Sequence, residues 1–373
     1  MKNLLDIDKN KINKTNEINK TDRNGMSLDR SIVFLAIALF IVGLCLTGCG
    51  NQGSSVEETH VEATWVEPTT GDAGDDNASD ESNDDEYHEP ISNPCWMLSV
   101  PTQITKVRDL YFIVDCYNNQ AIYNDNITDP INEWSVMTSD IVMGHTVASD
   151  GEVYLVDDTE NNRVLVLEYN GSTFELIQVF ENIGVRPHYI VYDEADHAFY
   201  AWSSMTGQMY VFEHAADSKQ MYMSRIMKID ELDGVYVRSF TIDGDSIYLV
   251  SGNSQIIEAR KSDFKILNKY VVPPELAGMI QIMPIPSGYY ITISTDVNGN
   301  QDFATIIYTE KLTDLEDGKY TDIYASFVGG GTPYYMGVID GRYYLTEHRI
   351  PGHSIWSFDI DDSGMPVDVV AVY

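Results

Sequence analysis

Short apolar runs separated by polar turns organise most of this chain. Residues 150–171 show the pattern most clearly, reading DGEVYLVDDTENNRVLVLEYNG. Asp150-Gly151 is a turn pair, and Val153, Tyr154, Leu155 and Val156 form a β-branched and aromatic run. A polar loop from Asp157 to Asn162 follows, and residues 164–169 return antiparallel to a second turn pair, Asn170-Gly171. This predicts a hairpin. Aligning the hydrophobic residue in the middle of each comparable strand gives Phe112, Tyr154, Tyr200, Tyr248, Tyr290 and Tyr344. The spacings, between about 40 and 55 residues, are those of propeller blades. Turn pairs recur just upstream at Asp150-Gly151, Asp243-Gly244, Ser287-Gly288 and Asp340-Gly341. Helical periodicity is nearly absent, and its best candidate, around Asp217 to Asp230, lacks a clean apolar face. The prediction is an all-β fold, a six-bladed β-propeller over residues 101–373, each blade burying both faces against its neighbours. A seventh blade has no aromatic-centred hairpin to supply it. The ring closes either through residues 96–98 pairing with the last blade or through 367–372 as its outer strand.

The hairpin has a partner. Val114-Asp115 followed by Asn118-Asn119-Gln120 parallels Val156-Asp157 followed by Asn161-Asn162-Arg163. Asp-Gly, an aromatic strand, an Asp and an Asn-Arg turn together resemble the blades of the NHL family of propellers. The resemblance implies the architecture and no particular activity, because propellers host many unrelated functions. Asp157 reads as a turn-forming acceptor for backbone N–H groups, with Arg163 as its salt-bridge or blade-to-blade partner.

The start of the chain follows different rules. Residues 31–48 carry no charge and are rich in Ile, Leu, Val, Phe and Ala, long enough for a membrane helix or the apolar part of a secretion signal. Leu46-Thr47-Gly48-Cys49 resembles the lipobox of bacterial lipoproteins. That resemblance implies a signal peptide over 1–48, cut before an acylated Cys49, with an extracytoplasmic, membrane-anchored mature chain. Anchoring by two or three acyl chains is durable, each buried methylene contributing roughly 0.8 kcal/mol. Either Met1 or Met26 can serve as the start. Residues 50–94 contain many Asp and Glu and no Lys or Arg, so self-repulsion and sparse apolar content predict a disordered tether. Together with Cys49 it forms a linker over 49–94, ahead of a domain over 95–373.

The formal net charge of −35 excludes ordinary nucleic-acid binding, which requires the opposite sign. With Cys45 in the signal and Cys49 acylated, Cys95 and Cys116 remain. An oxidising compartment favours pairing, yet spacing alone leaves the bridge open.

Candidate chemistry sits at the ring axis. Nine to twelve residues before the aligned aromatics lie Gln103, His145, His188, Arg238, Gln281 and Tyr335. They mark the start of each innermost strand and predict a polar funnel where a ligand could sit; waters could equally satisfy it. His145 and His188 occupy matching positions of adjacent blades, and a third ligand would make a transition-metal site such as Zn²⁺. Some NHL-type lyases are similar in placing metal-binding histidines there; Glu347, His348 and His353 are the candidates for a third. Asp296-x-Asn298-x-Asn300-x-Asp302 and Asp359-x-Asp361-x-Ser363 have alternate-oxygen spacing, but Ile307 and Val370 replace the terminal Glu of a Ca²⁺ loop, so both read as turns. No Gly-x-Ser-x-Gly, His-Glu-x-x-His or Gly-x-x-x-x-Gly-Lys is present. Two functions remain: a surface-displayed binding module for a peptide, glycan or protein, with no required cofactor, and a lyase or hydrolase using the central histidines, with or without Zn or Ca.

Overall fold

The computed structural model describes residues 64–65, 89–216, 218–327, 331–348 and 354–373. The signal segment, Cys49, most of the acidic linker and His353 lie outside the described residues.

Six four-stranded antiparallel sheets follow one another along the chain. Blade 1 comprises Pro101–Val107, Leu110–Asp115, Gln120–Asn124 and Ser135–Thr138; blade 2 comprises Val147–Ser149, Val153–Asp158, Arg163–Tyr169 and Phe174–Phe180. Pro187–Asp193, Ala198–Ser203, Gln208–His214 and Met221–Lys228 form blade 3, and Val237–Asp243, Ser246–Ser251, Gln255–Arg260 and Ile266–Val271 form blade 4. Blade 5 is Met279–Ile285, Gly288–Ile293, Thr305–Thr309 and a short Thr321–Asp322; blade 6 is Thr332–Ile339, Arg342–His348, Ile355–Ile360 and Pro366–Ala371. This is a six-bladed β-propeller. All six aligned aromatics fall in second strands, and five of them are tyrosines whose bulk fills the space between blades. The best helical candidate instead contains the outer strand of blade 3. Thr64–Trp65 adds a short pairing to the outer edge of blade 2.

The ring closes without a shared sheet, because Pro366–Ala371 supplies the outer strand of blade 6. Ile104, Ile113, Ile122 and Trp134 of blade 1 instead share a buried cluster with Ile339 and Ile355 of blade 6. The terminal Tyr373 latches the seam: its hydroxyl lies 2.6 Å from the carbonyls of Ile127 and Asp129 and accepts from the Trp134 indole at 3.0 Å. Before blade 1, the N–H of Asn93 donates to the Trp134 carbonyl at 3.0 Å, and that of Val136 donates to Ile91 at 2.7 Å. The segment that precedes the ring is thereby fixed to the outer edge of blade 1.

Neighbouring blades do not pair strands, so their inner strands are held by side-chain staples. Thr102 Oγ1 donates to the His145 carbonyl at 2.8 Å, Ser239 Oγ to Ile280 at 2.5 Å and Thr346 Oγ1 to Thr102 at 2.8 Å. The Ile190 N–H donates to Thr146 Oγ1 at 2.9 Å. Buried backbone groups require such partners, which explains why hydroxyl residues interrupt otherwise apolar inner strands.

Candidate functional site

The two best-matched blades explain how the axial residues are placed. Asp157 is fully buried and accepts the N–H of His145 at 2.9 Å, that of Thr146 at 2.6 Å and the Thr159 hydroxyl at 2.9 Å. Asp115 plays the same part in blade 1, accepting from Ser99 and Val100. Each Asp therefore clamps the beginning of its own blade. The Asn of each turn clamps the next blade. Asn119 and Asn162 are both left-handed, with φ of 53° and 56°. Asn119 Oδ1 accepts the Met143 N–H at 3.0 Å, and Asn162 Oδ1 accepts that of Arg186 at 2.8 Å. Arg163 does not pair with Asp157 as the sequence suggested. Asp157 is consumed by backbone donors, so the guanidinium turns to Asp158 at 2.6 Å and to Asp140 at 3.1 Å.

These clamps deliver the residues of a cavity of about 230 Å³ at one mouth of the ring. His145 and His188 line it, stacked with centroids 3.6 Å apart and planes 24° apart. His145 Nδ1 lies 3.0 Å from the Thr159 hydroxyl and 3.6 Å from Asp157 Oδ2, while Nε2 lies 3.8 Å from Cys116 Sγ. His188 Nδ1 lies 2.9 Å from the Tyr335 hydroxyl, and Nε2 lies 3.1 Å from that of Tyr236. Tyr335 Oη is also 3.4 and 3.3 Å from the carbonyls of His188 and Arg238. Each His188 ring nitrogen thus faces a tyrosine hydroxyl able to donate or accept, so both nitrogens of the neutral ring are satisfied in either tautomer. Burial holds its pKa well below the ordinary value, and the charges of His145, Arg238 and Arg186 add to that effect. All four ring nitrogens thus have protein partners. Among the described residues, no group of three His, Cys, Asp or Glu is arranged to hold a metal ion.

The six residues expected at the axis divide by role. His145, His188 and Arg238 line the cavity, and Tyr335 plugs the axis beneath it. Gln281 is a staple spanning the ring: Nε2 donates to the Tyr189 hydroxyl at 3.1 Å and the Met336 carbonyl at 3.0 Å, while Oε1 accepts from Met336 N at 2.5 Å. Gln103 caps the Val147 N–H at 2.7 Å and lines the opposite mouth, a separate cavity of about 320 Å³. Sequence reasoning missed Arg186, Tyr236 and Tyr334, all of which line the funnel. Arg186 and Tyr236 lie two positions before His188 and Arg238, as Met143 does before His145, so extending the repeat alignment by two residues would have found them.

Cys116 and Cys95 are free thiols. In the structure the two are unpaired, and Cys116 lines the funnel wall, with its sulfur 3.9 Å from Met143 Sδ. Burial pushes its thiol pKa upward. Glu347 is fully buried but does not line the funnel; burial pushes its pKa up to about 7, against a smaller lowering influence of the Tyr324 hydroxyl and Trp356 indole. His348 does reach the funnel, beside Tyr334 with centroids 5.9 Å apart. The two candidate Ca²⁺ loops close on themselves as turns. Asp296 Oδ1 accepts from the N–H groups of Asn298 and Asn300 at 2.8 Å each, and Asp361 Oδ1 from those of Ser363 and Met365 at 2.9 Å each.

No family model matches the sequence, and no curated protein does. Solved structures do. A chain from Bacteroides fragilis ascribed to the 6-phosphogluconolactonases superposes with a TM-score of 0.51 at 14% identity, covering 73% of this chain and 84% of that one. A streptogramin B lyase superposes with a TM-score of 0.50 at 12% identity, covering 75% and 85%. The WD40 propeller domain of Doa1 gives 0.48 at 8% identity, covering 76% and 86%. At these identities the likeness is one of fold, and propellers of unlike activity share it. What the chain and these structures have in common is the β-propeller.

Proposed function

We propose that this chain is an extracytoplasmic lipoprotein whose NHL-like propeller acts as a binding module, presenting its funnel mouth to a peptide, glycan or protein partner. The lipobox-like Leu46-Thr47-Gly48-Cys49 after an apolar stretch supports the anchor. One observation carries the binding reading: exposed apolar side chains adjoin the funnel. Tyr117 is 60% exposed and lines the rim. The neighbouring Asn118 amide donates to the Met97 carbonyl at 3.4 Å, which brings in Trp96 and Met97, 77% and 74% exposed. Large apolar groups around a polar recess are the usual composition of a recognition surface. The test is capture of partners from the native cell surface by the full-length chain. The double variant Trp96→Ala, Tyr117→Ala should lose capture by tenfold or more, and undiminished capture would refute the assignment.

A second reading, a hydrolase or lyase, has one specific observation in its favour. Cys116 Sγ, His145 and Asp157 form a chain of nucleophile, base and carboxyl, the general layout of thiol acyl transfer. Against it, Cys116 is 1% exposed and its thiol is held protonated by burial, the reverse of an activated thiolate. Turnover of any substrate that disappears in both Cys116→Ser and His145→Ala would favour this reading over the first.

A further inference from the structure

The funnel differs from the rest of this acidic molecule in one respect. No Asp or Glu is among the described residues lining it, although Arg186, Arg238, His145, His188 and His348 are. The other cavities do contain acids: Asp196, Glu213 and Asp245 lie beside Arg225, Arg260 and Lys261 in one groove, Asp150, Glu152, Asp196 and Glu213 line another, and Glu194 lies at the opposite mouth. The Arg238 guanidinium is half-buried, lies over the Tyr236 ring at 4.7 Å, and has no ion-pair partner among the described residues. Arg186 pairs with Glu160 at the rim, where both side chains are partly exposed. His188 is neutral, with both nitrogens engaged, and cannot neutralise or replace these charges.

A half-buried guanidinium over an aromatic ring, with no carboxylate paired to it among the described residues, is incompletely compensated in the funnel. Its planar fork matches an oxyanion bidentately. The cavity is smaller than the roughly 300–1,000 Å³ usual for drug-sized ligands, so it suits a single small group or the end of a longer molecule. We propose that the funnel recognises its ligand through a carboxylate or phosphate group seated against Arg238, with Arg186 as the second cation. This rests on the reading of the funnel mouth as the binding face and names the chemistry taken there.

The test is thermal unfolding of the full-length chain with inorganic phosphate, acetate or neutral acetamide, at fixed ionic strength. A ligand that binds only the folded state raises the midpoint with the logarithm of one plus the ratio of free ligand concentration to Kd. Phosphate, acetate or both should stabilise the chain and acetamide should not; which anion acts identifies the group recognised. Arg238→Gln should weaken the apparent affinity at least tenfold. Arg186→Gln, at the exposed rim, should weaken it severalfold and serves if Arg238→Gln does not fold. Lys106→Gln at the opposite mouth, where Lys106 pairs with Asp340, should change nothing. The proposal is overturned if neither anion exceeds acetamide, or if the effect survives both arginine substitutions. Should both anions fail while partner capture still depends on Trp96 and Tyr117, the oxyanion chemistry falls and the binding face stands.

Discussion

The imidazoles of His145 and His188 lie face to face, 3.6 Å between centroids, with every ring nitrogen already engaged by a protein group. Burial and the neighbouring charges disfavour a second proton on His188, so His188 enters the stack as a neutral ring. A base whose pKa is depressed on folding contributes stability above its unfolded pKa, near 6.5, and that stability is lost as pH falls. Urea unfolding between pH 7.5 and 5 should therefore show a loss of stability on acidification, and His188→Gln should flatten that slope. An unchanged slope in the variant would place the proton uptake elsewhere.

Glu347 works in the opposite direction. Its pKa is raised on folding to about 7, so the stability it contributes is present below its unfolded value near 4.5 and lost as pH rises through 7. Glu347→Gln keeps an acceptor for Tyr324 and Trp356 and removes the buried charge. At pH 8 the variant should be more stable than the parent by on the order of 1–3 kcal/mol, and at pH 4 the two should be alike. Denaturant titrations at the two pH values check this.

Asp157 clamps two backbone N–H groups and the hydroxyls of Thr146 and Thr159 while fully buried. Asp157→Ala leaves those donors without partners and opens a void, so it should cost on the order of 3 kcal/mol. Because the same groups fix the His145 loop, the variant should also lose funnel binding under conditions where it remains folded. Equilibrium unfolding and anion titration on one preparation separate the two effects.

Tyr373 gives a smaller, local result. Tyr373→Phe removes the hydroxyl that ties the end of the chain to Trp134 and the carbonyls of blade 1. A loss of about 1–2 kcal/mol is expected, with earlier hydrogen exchange along the seam between blades 1 and 6.

The free thiols differ in access. Cys95 is partly exposed and Cys116 is buried. Alkylation of the native chain, mapped by peptide mass spectrometry, should label Cys95 and spare Cys116 until denaturant is added. A disulfide-linked pair of peptides would contradict the structure.

How much of this was legible in the sequence depended on whether a residue's chemistry has one structural meaning or several. The second-strand aromatics and the Asp-Gly turns have one, because bulk between blades and positive φ at Gly151, Gly244 and Gly341 admit few alternatives; they gave the blade count and the strand order. Polarity at the axis has two meanings. Gln281 falls one position beyond the blade 5 match of His188, since Val191 and Met283 face the aligned Tyr200 and Tyr290. Ile280 lines the funnel with His188 while the Gln281 amide staples blades, an offset that residue type does not show. Asp157 and Arg163 were adjacent in the motif and looked like partners; three-dimensional demand for buried backbone acceptors took the Asp and left Asp158 for the Arg. Glu347 stood where a metal ligand was wanted, but strand alternation turns it toward Tyr324 and Trp356, away from His348 next to it. The absence of acids from the funnel is a property of the assembled surface and has no counterpart along the chain.

The central claim is that ligands meet this propeller at the funnel mouth and not at the other end of its inner strands. Placing a photo-crosslinking side chain at Tyr117, on the funnel rim, and separately at Val338, exposed by the opposite mouth, tests it on intact cells. The account expects a discrete crosslinked adduct from position 117, diminished by Arg238→Gln, and none from position 338. An adduct from 338 alone, or equal adducts from both, would contradict it.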